Sequence, residues 1–242
     1  MTKESYSSAR SRDRYRRQTL RPLNCLVFIL PPLAAFQWGA ATYGTTLLTP
    51  HYMHVVLRFF GATAPFLPPL LIVAVLLLQQ AAHHEPFKVQ PKALAGMVGE
   101  SILWTFPLIA VSYITARVAR MAGMFTLPEA AEKSLQDVLQ ALGAGIYEEF
   151  VFRLVFLGLV MLIFVDVFEM KKEIVIYMGI VASGVLFSLC HFTTGQTPFR
   201  WGSFIFLALA GALWGGLYVF RGFGIAAGCH IVWDIYVFIF QH

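Results

Sequence analysis

Three short segments of this 242-residue chain carry ionisable side chains in hydrophobic surroundings that give them no packing use. They are Glu148-Glu149-Phe150-Val151-Phe152-Arg153, Phe187-Ser188-Leu189-Cys190-His191 and His230-Ile231-Val232-Trp233-Asp234. One spacing recurs in all of them. Glu149 and Arg153, Phe187 and His191, and His230 and Asp234 stand four residues apart, which is one face of a helix. The planar fork of Arg153 suits the Glu149 carboxylate. Glu148 points about 100° away around a helix. One carboxylate is then neutralised by structure while its neighbour stays available as a general base. Carboxylate, imidazole and guanidinium together can activate a water and stabilise an oxyanion. A hydrolytic site is the economical reading of the set. Taken singly, each segment has a plainer explanation: an ion-pair knot between helices, an interfacial histidine, or a His–Asp pair acting as polar glue.

The elements that must position these groups follow from composition. The residues are 58% hydrophobic and 13% charged, against about 45–50% and about 25% in soluble domains. Mean hydropathy is +0.68. A soluble domain of this size would leave apolar patches facing water, so soluble enzymes, coiled coils and disordered chains are excluded. The expected fold class is all-α, a polytopic transmembrane helix bundle of about six to seven spans with the motifs in the C-terminal half. Candidate spans lie at 23–49, 55–80, 93–116, 135–168, 174–192, 201–220 and 223–240. Pro31-Pro32 and Pro68-Pro69 predict kinks in the first two. The 135–168 stretch is too long for one upright span, so it tilts, breaks or projects. Residues 118–134 read as a surface-lying segment.

An ionisable side chain at mid-membrane costs about 2.5–3.5 kcal/mol on insertion scales, and such residues usually mark function. Arg58, Glu100 and Asp166 join the motif residues in this class. Arg58 and Glu100 are expected to line a cavity or to pair, and Asp166 to meet the headgroups. Residues 1–22 form a basic arm with Lys3, Arg10, Arg12, Arg14, Arg16, Arg17 and Arg21 against Glu4 and Asp13. Residues 23–242 form one integral membrane domain. If the spans alternate, the arm shares a side with Lys88, Lys92, Lys171, Lys172 and Arg221, which makes the N-terminus cytoplasmic. The chain is then a multi-pass protein, of the plasma (inner) membrane if prokaryotic. Nothing follows the arm that could read nucleic acid. Cys25, Cys190 and Cys229 form no disulfide framework.

The ordered motifs Glu148-Glu149-x-x-x-Arg153, Phe187-x-x-x-His191 and His230-x-x-x-Asp234 resemble the CPBP or Abi family of intramembrane glutamic proteases. That family includes Ras-converting CAAX endopeptidases and bacteriocin-processing and immunity proteins. The resemblance spans 148–234 and implies a metal-independent helical membrane bundle with no cofactor. It implies that Glu148 and His191 activate water, that Glu149 and Arg153 hold the site, and that Phe187 packs beside it. It implies that His230 and the residue four further on stabilise the oxyanion. That residue is often Asn in the family and is Asp234 here. An ionised Asp cannot donate, so Asp234 is protonated, orients His230 or has another role. The implied partners are the lipid bilayer and a membrane-associated peptide or protein, with a lipidated or sorting-signal C-terminus among the options.

Other classes fit the same residues. Glu148, His191, His230 and Asp234 could supply the ligands of a zinc hydrolase, although no His-Glu-x-x-His helix is present. A proton-relay transporter, an immunity protein or a scaffold could use the same polar core. Cys190 and Cys229 each precede a candidate histidine, but adjacent helical residues diverge by about 100°. One difficulty accompanies every version. A simple ladder puts His191 near one end of its span, His230 near the opposite end, and Glu148 between them.

Overall fold

The structure is a computed structural model that describes residues 13–43, 67–121, 135–193 and 199–240. The helices are α1 (Pro22–Tyr43), α2 (Leu67–Ala82), α3 (Pro91–Met121), α4 (Leu135–Val167), α5 (Lys172–Thr193), α6 (Trp201–Arg221) and α7 (Phe223–Phe240). A short helix over 13–19 precedes them, and the described residues contain no strand. The helices α1, α3, α4, α5 and α6 are long and apolar enough to cross a membrane; α2 and α7 are apolar but shorter. The chain is an integral, multi-pass membrane protein. Among the described residues five helices reach full span length, where about six to seven spans were expected; residues 55–66 of the second expected span lie outside the described residues.

Several boundaries differ from the sequence reading. α3 runs to Met121, so residues 118–121 continue the helix that carries the third expected span. The rest of the expected surface segment lies outside the described residues, as does Arg58. Pro31 and Pro32 sit inside α1, whereas Pro68 and Pro69 fall in the first turn of α2, where a missing N–H costs nothing. The overlong segment stays one helix of 33 residues. It turns from α to π over Phe150–Leu157, returns to α over Gly158–Met161, and is π again over Leu162–Val167. Such widened turns recur at functional sites, and this one begins directly after the glutamate pair. The Ser183 hydroxyl of α5 donates to the Phe152 carbonyl at 3.0 Å inside that stretch.

Neighbouring contacts fix the helix directions. The Leu23 N–H donates to Gln80 Oε1 at 3.1 Å, and the Gln90 N–H donates to Asn24 Oδ1 at 3.2 Å. The start of α1, the end of α2 and the start of α3 therefore share one end of the bundle. α5 and α6 run antiparallel: Ser188 donates to the Phe204 carbonyl at 2.9 Å. Their backbones nearly touch, since a Cβ on Gly211 would lie 2.9 Å from the Gly184 Cα. Small residues permit such approaches between membrane helices. Lys171, Lys172 and Arg221 thus fall at the same end as residues 13–21.

The start of α7 is recessed from that end. A Cβ on Gly224 would press on Met97 of α3 and Cys25 of α1. Met97 is six residues inside α3, about 9 Å at 1.5 Å per residue. Gly222 makes the tight α6–α7 turn at φ 100°, and a side chain there would collide with the Thr19 carbonyl above it. Only glycine takes that conformation freely. The core between α1, α4 and α7 (Ile29, Phe36, Ile146, Tyr147, Ile225) meets a second core around α6 (Phe187, Trp214, Cys229) along α7.

Candidate active site

The floor of the site is an ion pair sealed from solvent. Arg153 Nη1 lies 3.0 Å from Glu149 Oε1, and both side chains are wholly buried. A free charge at this depth would be untenable, so the two stabilise each other's presence. Arg153 Nη2 also donates to the Gly211 carbonyl of α6 at 2.7 Å. Its guanidinium carbon sits 5.2 Å from the Phe187 ring centroid and 5.8 Å from that of Trp214. The expected i, i+4 pair of α4 therefore survives the change to a π-turn.

His230 is built on this floor. Its Nδ1 lies 2.8 Å from Glu149 Oε1. A carboxylate paired to arginine only accepts, so Nδ1 carries a hydrogen and donates it to Glu149, while Nε2 faces the remaining groups. There Nε2 stands 3.7 Å from Glu148 Oε2 and 3.6 Å from Asp234 Oδ2. His191 enters from α5. Its Nδ1 folds back to within 2.9 Å of the Phe187 carbonyl, which turns Nε2 inward to 4.0 Å from Glu148 Oε2. Glu148 is thus flanked by two imidazoles on different helices. Neither distance is a direct hydrogen bond, but two bonds of about 2.8 Å meeting at a right angle on one solvent oxygen span about 4 Å.

Exposure rises in one direction across the group. His230 is 3% exposed, Glu148 8%, Asp234 21% and His191 29%. The arrangement has a closed base at Arg153 and an open rim at His191 and Asp234. Phe187 joins its parts: its centroid is 4.5 Å from that of His191, 5.8 Å from that of His230 and 5.3 Å from that of Phe152.

The structure brings all seven motif residues together. The depth conflict disappears because α7 starts recessed, which lowers His230 toward the middle of the bundle, and because His191 folds back along its own helix. The other charges behave differently. Glu100 pairs with Arg221, whose Nη2 donates to its Oε2 at 2.7 Å at the opposite, arm-bearing end. Asp166 is exposed near the end of α4. Cys229 is buried, with its sulfur 3.7 Å from the Thr105 hydroxyl. Among the described residues no group of three or more His, Cys, Asp or Glu is placed to hold a metal ion.

Three contributors escape motif reading. Trp214 of α6 stacks flat on the His230 ring, centroids 3.8 Å apart and planes 10° apart. The Gly211 carbonyl receives Arg153. Gly145 lets α4 press onto α7 beside His230, where an added Cβ would come 2.8 Å from the Ile231 nitrogen. The one available signal was the run Gly211-x-x-Trp214-Gly215, a large ring set between residues without side chains on an apolar helix.

Residues 131–236 match the type II CAAX prenyl endopeptidase Rce1-like family. Over this segment, less than half of its length, the chain is similar to Rce1-like endopeptidases. The match takes in α4 to α7 and every residue of the polar cluster, while α1 to α3 lie outside it. No curated protein and no solved structure matches the chain. The Rce1-like family implies an intramembrane protease acting on a protein or peptide, and the buried Glu148, Glu149 and His230 are consistent with that chemistry.

Proposed function

We propose that the chain is a metal-independent intramembrane peptidase that hydrolyses a peptide bond in a membrane-associated protein or peptide. The observation that carries this reading is the position of Glu148, within 4.0 Å of imidazole nitrogens from two separate helices. Glu148 takes a proton from water while His191 orients that water toward the scissile carbonyl. The new C–O bond gives a tetrahedral oxyanion, and His230 Nε2–H donates to it. Glu149 holds the opposite edge of His230, and Asp234, standing where the resembled family often has Asn, balances the charge on that ring. Glu148 then passes its proton to the leaving nitrogen as the C–N bond breaks. Arg153 pairs with Glu149 and fixes its position, and Phe187 walls both imidazoles.

The clustering of cations at one end supports a cytoplasmic N-terminus, with residues 1–22 as an arm on a single membrane body of 23–242. The substrate class to test first is a peptide with a lipidated or sorting-signal C-terminal segment. The test uses detergent-purified protein with quenched-fluorescent membrane peptides, lipidated and not, with and without a chelator. Cleavage that persists in chelator is expected. Chelator-sensitive cleavage restored by zinc would establish the zinc reading. A folded protein that cleaves none of the peptides would favour a scaffold or proton relay.

Trp214 acts through His230 and is a positioning residue. Aromatic stacking is worth about 0.5–1.5 kcal/mol. Trp214→Leu is expected to lower kcat several-fold, up to about tenfold, with KM unchanged. Trp214→Phe restores most of the rate. A matched rise in KM, or no rescue by Phe, would show that the ring serves only packing.

A further inference from the structure

The arm-bearing end holds a second polar cluster, remote from the one just described. Glu100 of α3 receives Arg221 from α6, the Tyr15 hydroxyl at 2.9 Å and the Trp104 indole N–H at 3.2 Å. The Arg221 guanidinium also lies 5.4 Å from the Tyr15 ring centroid. Burial, reinforced by Glu100, pushes the Tyr15 hydroxyl above its ordinary range, so it stays a donor. Arg21 pairs with Glu85 at 2.9 Å. Glu85 and Glu100 are therefore each paired with an arginine.

Other cations stand beside them. Arg14, Arg16, Arg17, Lys88 and Lys92 are exposed, and none has an acidic partner among the described residues. Below Lys92 a groove of about 560 Å³ is lined by Tyr15, Gly96, Gly99, Glu100, Leu103 and Trp104. Lys92, Gly96, Gly99 and Leu103 recur at helical spacing, so they form one face of α3. Space over Gly99 is open, while the Tyr15 ring stands over Gly96. Leu103 at the far end is well exposed in a span, facing lipid.

We propose that this groove binds one anionic phospholipid, its phosphate against Lys92 and the arm arginines and an acyl chain along Gly99, Leu103 and Trp104. Positive charge at the rim and an apolar channel leading into the bilayer match the two ends of such a molecule. A free phosphate would leave the channel unused, and a zwitterionic headgroup would not answer the uncompensated cations. Each Lys or Arg near an anionic membrane surface contributes about fivefold in partitioning. The inference does not depend on the peptidase reading, since its test reads no cleavage.

Trp104 is the built-in reporter. Full-length protein is placed in phosphatidylcholine vesicles containing increasing phosphatidylglycerol or phosphatidylcholine with brominated chains, which quench tryptophan on contact. The Trp104 signal is taken as the difference between wild type and Trp104→Phe. Brominated phosphatidylglycerol is expected to quench Trp104 at a mole fraction about fivefold or more below that of brominated phosphatidylcholine. The variant Arg16→Gln/Arg17→Gln/Lys92→Gln, changed only at exposed side chains, is expected to bring the two lipids to parity. Equal quenching in wild type, or a preference that survives in the triple variant, would overturn the proposal. So would competition by millimolar inorganic phosphate, which would reveal a site for the free anion.

Discussion

Glu148→Gln removes peptide cleavage and leaves the fold intact. The amide copies the size of the carboxylate but cannot accept a proton from water. Glu148 takes no part in the Arg153–Glu149 pair, and its nearest imidazole nitrogens stand 3.7 and 4.0 Å away. The substitution therefore takes away the base and no buried support. A positioned general base contributes about 10²- to 10⁴-fold, so the initial rate should fall by at least about 10²-fold. The checks are the cleavage rate with a membrane peptide and the thermal unfolding midpoint in detergent. Retained cleavage would remove Glu148 from the chemistry. A collapsed midpoint would show that it is structural.

Arg153→Met has the largest expected effect on stability. It removes the cation paired with Glu149 in a wholly buried site. It also frees the Gly211 carbonyl, which now accepts at 2.7 Å. Breaking one partner of a buried pair costs about 3–5 kcal/mol. Arg153→Met should unfold at markedly lower temperature or denaturant than wild type. The double variant Glu149→Gln/Arg153→Met should recover much of that loss, because no unpaired charge remains. It should not recover activity, since His230 loses the carboxylate that holds its Nδ1–H. If the double variant is no more stable than Arg153→Met, the loss lies in packing against Phe187 and Trp214 rather than in the stranded carboxylate.

These two residues also mark how far the sequence could be read. Four-residue spacing placed Glu149 beside Arg153 and turned Glu148 away, because a helix fixes both relations locally. Hydropathy gave the helical membrane body for the same reason: about 20 apolar residues can satisfy their backbone in lipid only as a helix. Depth was not legible. His230 reaches the level of Glu148 because the Gly222 turn lies beneath Thr19 and Gly224 packs against Met97 and Cys25. Those contacts join residues about 200 and about 125 positions apart along the chain. Trp214 was nearly as hidden: the glycines beside it hint at close packing, but its role is a stack across helices that spacing along the chain does not show. The pairing of Glu100 with Arg221 was not legible on the same grounds: Arg221 is 121 residues away, and only the antiparallel run of the helices brings them to one end. The π-turn after Glu149 has no signature in the apolar run Phe150–Leu157.

The central claim concerns a single solvent molecule. An experimental density map of the protein in a lipid nanodisc, at a resolution that reveals ordered water, tests it most directly. The account predicts one water within about 3 Å of both Glu148 Oε2 and His191 Nε2, on the open side of His230. Density showing those two side chains directed into lipid, or too far apart for one oxygen to touch both, would contradict it.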